Sequence, residues 1–281
     1  MTSFAQKTIQ CKYHFASNQD YPLLFGEDYI LKVDVGWTTI SLYLNLKEHS
    51  EKILVCGPSA IDANTVKPPF FHRWSWANRF GCSTIVISDP TLETGKFNIG
   101  WFLGKKNEYL LTKCSNIINK IISQLGIERN STIFYGSSAG GFSSLMMASY
   151  FKGANVIVQN PQIDVRRYHG EFYSALIKSN FNGAEPEEEK LNVISLFRKV
   201  AYIPNIYYVQ NVYDNHHYDI HLPIFMSGIS ELRSNVSNQF KLHIELDSDK
   251  QKGHDADAFE KAVSRLQNAF IFFYGEDFIY Q

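Results

Sequence analysis

Short apolar runs alternate with amphipathic segments along most of the chain. Runs rich in β-branched and aromatic residues, each bounded by turn-forming residues, predict buried strands. Apolar residues at helical spacing, followed by a stop signal, predict helices between them. The predicted strands are KILVCG (52–57), STIVIS (83–88), STIFYG (131–136), ANVIVQNP (154–161), IPNIYYVQN (203–211) and FKLHIEL (240–246). The predicted helices are HRWSWANRFG (72–81), NEYLLTKCSNIINKIISQLG (107–126), GFSSLMMASYF (141–151), a stretch around IFMSGISELRS and DAFEKAVSRLQNAF (257–270).

This alternation predicts one α/β domain over residues 1–281, with a mostly parallel central sheet covered by helices on both faces. The segment YILKVDVGWTTISLYLNL (29–46) is interrupted at Gly36 and predicts an antiparallel hairpin within an N-terminal β extension of about 50 residues. Residues 165–200 break the alternation with several short helical patterns. They predict a helical cap inserted after a strand.

The segment FYGSSAGGF (134–142) contains the first candidate for chemistry. Gly136, Ser138 and Gly140 have the G-x-S-x-G spacing of a nucleophile elbow. The elbow holds its serine at a strained backbone angle, so the positions two before and two after it must be small. A glycine-rich turn that lets a helix pack close to a strand has the same pattern. The predicted strand before the motif and the predicted helix after it favour Ser138 as a nucleophile.

A serine at neutral pH needs a base, and the base needs a third group to orient it. In α/β-hydrolases these partners follow the serine in the order acid, then histidine, each after a strand. Asp214 follows the strand at 203–211, and His254 lies in the loop after the strand at 240–246. We therefore predict a catalytic triad of Ser138, Asp214 and His254, with Asp219 and Asp164 as alternative acids.

An oxyanion hole requires two backbone N–H groups. The residue after the nucleophile, Ala139, is expected to supply the first. The second is expected from the loop after the strand at 52–57. Pro58 has no N–H, which leaves Gly57 or Ser59, and Gly57 is preferred.

Three histidines next to the predicted acid raise the alternative of a metal site. His216, His217 and His221 lie close to Asp214 in the sequence. The H-H-x-x-x-H spacing matches no standard zinc pattern, so no metal is predicted. His217 is instead expected to line the site or to brace the loop that carries Asp214.

Charge and composition narrow the possible partners. The formal net charge of −1 provides no basic field that would recruit nucleic acid or an anionic membrane. The start MTSFAQKTIQCKYHF lacks the apolar core of a secretory signal, and no apolar run is long enough to span a bilayer. The four cysteines show no C-x-x-C spacing and are expected to be free thiols in a reducing compartment, so a cytoplasmic location is expected.

Four segments together resemble those of a known family. YGSSAGGF, QNPQIDV, DNHHY and KGHDADAF are similar to signature segments of the bacterial capsular-polysaccharide O-acetyltransferases of α/β-hydrolase fold. The resemblance implies Ser138 as nucleophile, Asp214 as acid and His254 as base. It also implies acetyl-CoA as the donor, a polysaccharide or oligosaccharide hydroxyl as the acceptor, no permanently bound cofactor, and a place beside a capsule-synthesis complex. The N-P-Q segment 160–162 is expected beside the site, in a structural or substrate-edge role.

Transfer to a sugar rather than to water requires protection of the acyl-enzyme. The predicted cap and the aromatic loop PPFFHRWSWANRF (68–80) are the segments expected to provide it, although at least half of these aromatic residues are expected in the core. The candidate substrate-binding residues are His217, Trp74, Trp76 and Arg73, and the candidate basic residues for CoA are His72, Arg73, Lys105 and Lys106. An esterase with the same triad and a non-catalytic glycan-binding or assembly protein are the alternative functions.

Overall fold

A single nine-stranded sheet forms the centre of the protein. A computed structural model describes residues 7–13 and 20–280 of the chain. The strands are Lys7–Lys12 (β1), Asp28–Asp34 (β2), Thr39–Asn45 (β3), Ile53–Cys56 (β4), Ser83–Ile87 (β5), Thr132–Ser137 (β6), Asn155–Gln159 (β7), Asn205–Asn211 (β8) and Leu242–Asp247 (β9). Their order across the sheet is β1-β2-β3-β5-β4-β6-β7-β8-β9.

The sheet is parallel from β5 to β9, and only β3 runs against its neighbours. The predicted mostly parallel sheet and the predicted hairpin, formed by β2 and β3, are therefore confirmed. Strand β1 pairs parallel with β2 at the edge and was not predicted. Residues 1–6 and 14–19 of the predicted N-terminal extension lie outside the described residues.

Seven α-helices surround the sheet within the described residues. They are Leu110–Gln124 (α1), Ala139–Tyr150 (α2), Gly170–Asn180 (α3), Glu188–Leu191 (α4), Val193–Val200 (α5), Leu222–Leu232 (α6) and Phe259–Tyr274 (α7). Helices α3 to α5 occupy the segment predicted as a helical cap, between β7 and β8. The helix predicted at 72–81 is a short 3₁₀ helix, Trp74–Arg79, and a π-helical turn, His217–His221, precedes α6.

The strands bury side chains on both faces, which explains their continuous apolar runs. Phe134 of β6 points into a core that contains Phe142 and Met146 of α2. Its neighbour Tyr135 points into a second core, which contains Phe259 and Leu266 of α7. The four cysteines are free thiols, as predicted.

The carboxyl ends of the parallel strands meet at one edge of the sheet, where α/β folds carry their sites. The loop after β4 begins with Gly57, and the turn after β6 carries Ser138. The segments after β7, β8 and β9 carry Gln162, Asp214 and His254. Five segments that are far apart in sequence therefore converge at this edge.

Candidate active site

The turn between β6 and α2 holds Ser138 in a strained backbone conformation with a positive φ of 53° and a ψ of −120°. This turn has no room for side chains on either side. A Cβ added to Gly136 would lie 2.2 Å from the carbonyl oxygen of Gly140, and one added to Gly140 would lie 2.9 Å from that of Gly57. The spacing that suggested an elbow is thus imposed by direct contact between backbone segments.

Ser138, His254 and Asp214 form a connected hydrogen-bonding row. The His254 Nε2 atom lies 3.1 Å from Ser138 Oγ, and its Nδ1 atom lies 2.6 Å from Asp214 Oδ2. Asp214 is 5% exposed, whereas the His254 side chain is 40% exposed. The structure therefore brings the three predicted residues together in the predicted order, and their catalytic roles stay a prediction. The alternative acids lie elsewhere, since Asp219 is exposed and Asp164 pairs with Arg166.

The carboxylate of Asp214 has a second histidine partner. The His217 Nδ1 atom lies 3.0 Å from Asp214 Oδ1, and the His217 ring stacks on His254 with 4.3 Å between centroids. Burial alone would raise the pKa of Asp214, but the hydrogen bonds from His217 and His254 outweigh it and lower this pKa below its usual value. Asp214 is therefore ionised across the physiological range.

His217 is a brace rather than a substrate-facing residue. It is 1% exposed, so it lies behind the site, and this corrects its expected place among the substrate-binding residues. Burial lowers the pKa of His217 to about 4, and that of His221 to about 2. Both rings are consequently neutral at pH 7. Of the two places expected for His217, the structure favours the brace of the Asp214 loop.

A metal ion would compete with this hydrogen-bonding row. Among the described residues, the group whose potential ligand atoms converge is Asp214, His217 and His254, with all atoms within 4.8 Å of one another. Each of these atoms faces a partner within the group, and His254 also faces Ser138. The rings of His216 and His221 lie 5.4 Å apart but do not join that group. The arrangement fits proton transfer better than metal ligation.

The N–H of Gly57, the expected second oxyanion donor, already has an acceptor within the sheet. The N–H of Gly57 donates to the carbonyl of Tyr135 at 2.9 Å, because it continues the β4–β6 ladder, so it cannot also face a substrate. The N–H of Ser59 lies 3.3 Å from His72 Nδ1, a long hydrogen bond that a stronger acceptor could replace. Ala139 is the first residue of α2, so its N–H has no acceptor within the helix.

Arg73 of the aromatic loop reaches the nucleophile turn. Its guanidinium donates to Ser137 Oγ at 2.7 Å and lies 5.0 Å from the centroid of the Tyr135 ring. Trp74 and Trp76 instead pack against the second core. Both indoles are only partly buried there, and their expected substrate-binding role stays a prediction.

The N-P-Q segment was expected beside the site, but the contacts that two of its side chains make there were not predicted. The Gln162 side chain donates from Nε2 to Ser138 Oγ at 3.2 Å, and its Oε1 accepts from the Trp101 indole at 2.5 Å. Asn160 accepts the N–H of Asn211 at 2.7 Å. The segment lies beside the site, but no local pattern pointed to Trp101, which lies 61 residues from Gln162.

The loop that carries His254 is tied to the neighbouring strand. The Asn211 side chain donates to the carbonyls of Asp249 and Gly253, at 2.7 and 2.8 Å. At the end of the same loop, the buried carboxylate of Asp257 pairs with Lys252 and Arg265. These contacts hold the His254 imidazole within hydrogen-bonding distance of Ser138.

Comparison with known proteins identifies the fold. No protein-family model matches the chain, and no curated protein sequence matches it. Among solved structures, the capsule O-acetyltransferase of Neisseria meningitidis serogroup A is 14% identical, with 85% of this chain and 95% of that chain covered and a TM-score of 0.57. A variant of that enzyme in complex with CoA is 15% identical, with coverage of 86% and 94% and a TM-score of 0.57. The HSL homologue EstE7 from a metagenome library is 10% identical, with coverage of 91% and 88% and a TM-score of 0.54.

These similarities establish that the chain has the predicted α/β-hydrolase fold. A capsule O-acetyltransferase and a putative esterase from Staphylococcus aureus are both among the solved structures whose fold it resembles. Within residues 7–13 and 20–280, no helix is both long and apolar enough to cross a membrane.

Proposed function

We propose that this protein is a serine acyltransferase that moves an acetyl group from acetyl-CoA to a hydroxyl of a bacterial surface polysaccharide. The observation that carries the proposal is the unbroken row from Ser138 Oγ through His254 to the ionised Asp214. The acetyl donor and the glycan acceptor rest on the sequence segments shared with the capsular O-acetyltransferases. The similarity in fold to such an enzyme, which has also been solved with CoA, supports the same choice.

In the first half-reaction, Ser138 Oγ attacks the thioester carbonyl carbon while His254 Nε2 takes the hydroxyl proton. The carbonyl oxygen becomes an oxyanion that the N–H groups of Ala139 and Ser59 stabilise. The C–S bond then breaks, and the CoA sulfur leaves with the proton held by His254. The product is an acetyl ester on Ser138 and free CoA.

In the second half-reaction, His254 takes the proton of an incoming sugar hydroxyl, whose oxygen attacks the acetyl carbon. The ester bond to Ser138 breaks, and the proton returns from His254 to Ser138 Oγ. Asp214 holds the imidazole in one tautomer and balances its charge throughout. Over the whole cycle, the acetyl group passes from CoA to the sugar, and one proton passes in net terms from the sugar hydroxyl to the CoA sulfur.

Hydrolysis of carbohydrate or small esters by the same row is the second candidate function. The His254 side chain is 40% exposed, so water can approach the acyl-enzyme when no acceptor is bound. The likeness in fold to an esterase is compatible with this outcome. Water and a sugar hydroxyl would then compete for one intermediate.

The deciding experiment measures CoA release from acetyl-CoA by the purified protein, with and without a panel of capsule oligosaccharides, and aryl acetate hydrolysis in parallel. We expect CoA release that depends on one glycan class, and a loss of about 10⁴-fold or more in Ser138→Ala. Aryl acetate cleavage that no glycan alters would favour the esterase. A folded Ser138→Ala protein with wild-type rates would refute both proposals.

A further inference from the structure

The side chain of Gln162 is buried directly against the nucleophile. It is 0% exposed and donates to Ser138 Oγ at 3.2 Å, and His254 Nε2 lies 3.1 Å from the same oxygen. Ser138 Oγ thus has two nitrogen neighbours within hydrogen-bonding distance. Only one of them, His254, is needed as the base in the proposed reaction.

The neighbouring indole fixes the orientation of the Gln162 amide. The Trp101 Nε1–H group can only donate, and it lies 2.5 Å from Gln162 Oε1. The carbonyl oxygen of the amide must therefore face Trp101, and the NH₂ group must face Ser138. A flipped amide would set two donors against each other, with both side chains buried.

We infer that Gln162, oriented by Trp101, is a positioning residue that directs the hydroxyl hydrogen of Ser138 to His254. Because Ser138 Oγ accepts from the amide, its own hydrogen has one remaining acceptor, the Nε2 atom of His254. The same amide continues to donate to Oγ as negative charge develops on it during proton transfer. This inference rests on the proposed serine chemistry and adds the groups that set its starting geometry.

The test follows the rate at which a fluorophosphonate labels Ser138, since this probe needs an activated serine but neither donor nor acceptor. In labelling, Ser138 Oγ bonds to phosphorus, fluoride leaves, and His254 takes the hydroxyl proton. We expect Gln162→Met, which keeps the volume and removes the donor, to label about tenfold more slowly than wild type. Gln124→Met, at the distant end of α1, is the matched control and should label at the wild-type rate.

The substitution Gln162→Glu places a titratable group at the same position. It provides a second measurement, which would not change with pH if the role of Gln162 were purely structural. In Gln162→Glu, the ionised carboxylate accepts from Ser138 and diverts its hydrogen from His254, whereas the protonated acid can still donate. The ratio of the wild-type labelling rate to that of Gln162→Glu should therefore increase with pH. The corresponding ratio for Gln162→Met should be independent of pH.

A double-mutant cycle tests the role of the Trp101 indole. Because Trp101→Phe can be measured alone, the inference stays testable even if a Gln162 variant folds poorly. Trp101→Phe keeps the ring but frees the amide, and should slow labelling by about threefold. Adding Trp101→Phe to Gln162→Met should cause no further loss. Equal labelling of wild type and all folded variants, or strictly additive losses, would overturn the inference. Failure of the wild-type protein to label would instead overturn the proposed function.

Discussion

At the scale of single residues, the site depends on which groups can only donate hydrogen bonds. The N–H of Ile163 donates to His221 Nδ1 at 3.2 Å, so the hydrogen of the His221 ring must be on Nε2. The ring of His217 is 5.0 Å away and carries its own hydrogen on Nδ1, toward Asp214. Of these two buried neutral histidines, His217 holds the Asp214 oxygen that His254 does not contact, and His221 packs against the His217 ring.

The effect of the His217 hydrogen bond on the proposed catalysis can be separated from the effect of its ring packing. His217→Phe keeps a ring stacked on His254 but removes the Nδ1–H donor to Asp214. We expect kcat for aryl acetate hydrolysis to fall about tenfold with an unchanged KM, because one charge-assisted hydrogen bond to the carboxylate is lost. Steady-state kinetics measure this split.

His243 provides the matched control for that substitution. It stacks on Tyr207 with 4.5 Å between centroids, and it lies near the opposite end of β9 from His254. His243→Phe should leave both kinetic parameters unchanged. If the two variants behaved alike, the proposed role of His217 would have to be abandoned.

At the scale of elements, the loop between β9 and α7 depends on one buried ion cluster. Arg265 of α7 lies 2.8 Å from the Asp257 carboxylate and also pairs with Asp247 at the end of β9. Lys252 contacts Asp257 from within the loop. The loop that carries His254 is thus fastened at both of its ends to one arginine.

Substitution of Arg265 should lower the free energy of unfolding much more than substitution of an exposed arginine. Arg265→Met removes the cation that joins the buried carboxylate of Asp257 to Asp247 and leaves Asp257 paired with Lys252, so we expect the free energy of unfolding to fall by about 3 kcal/mol. Arg198→Met breaks an exposed pair with Glu231 and should cost less than about 1 kcal/mol. Urea unfolding of the two variants at pH 7.5 measures the difference, and equal losses would contradict this account of the loop.

The elements that sequence predicts best are those with local signals. The strands β4 to β8 are buried on both faces and appear as apolar runs, and the order of the loops after them places Ser138, Asp214 and His254. Strand β1 escaped detection because it lies at the exposed edge of the sheet and four of its six residues are polar. The contacts of Gly57 and Trp101 could not be predicted, since they depend on the register of β4 with β6 and on a pairing across 61 residues.

At the scale of the whole molecule, buried titratable groups connect the site to the stability of the fold. His217 and His221 have pKa values of about 4 and about 2 in the folded state, below the usual 6.5. Their contribution to stability is full above pH 6.5 and decreases as the pH falls, because the unfolded chain binds protons first. Burial raises the pKa of Asp89 to about 6, so its contribution has the opposite sign.

We therefore expect acid to destabilise the protein already above the pH range in which most carboxylates titrate. Between pH 7.5 and 5, the titration of His217 and of His221 should each lower the free energy of unfolding by about 2 kcal/mol. The titration of Asp89 should raise it by about 1.4 kcal/mol. The lowered pKa of Asp214 adds no change in this interval, because its contribution is lost only below its usual pKa. Urea unfolding at pH 7.5, 6 and 5 gives the profile.

The substitution His221→Asn removes the contribution of His221 to the pH dependence of stability. The Asn oxygen can accept the N–H of Ile163 but cannot titrate, so the pH profile should become flatter by about 2 kcal/mol at pH 5. The control His49→Asn changes an exposed histidine in a left-handed turn, which Asn tolerates, and should leave the profile unchanged. A profile for His221→Asn that parallels wild type would refute this origin of the acid sensitivity.

The contact of Gly57, Gly136 and Gly140 has a consequence for divergence between related chains. Main-chain atoms meet directly there, so the height of Ser138 above the sheet is set by three residues that have no side chain. The surrounding core can exchange one apolar residue for another without changing this distance. A reactive geometry that requires so few fixed residues can persist after most of the sequence has been substituted. Similarity between folds can then remain after similarity between the sequences has become undetectable.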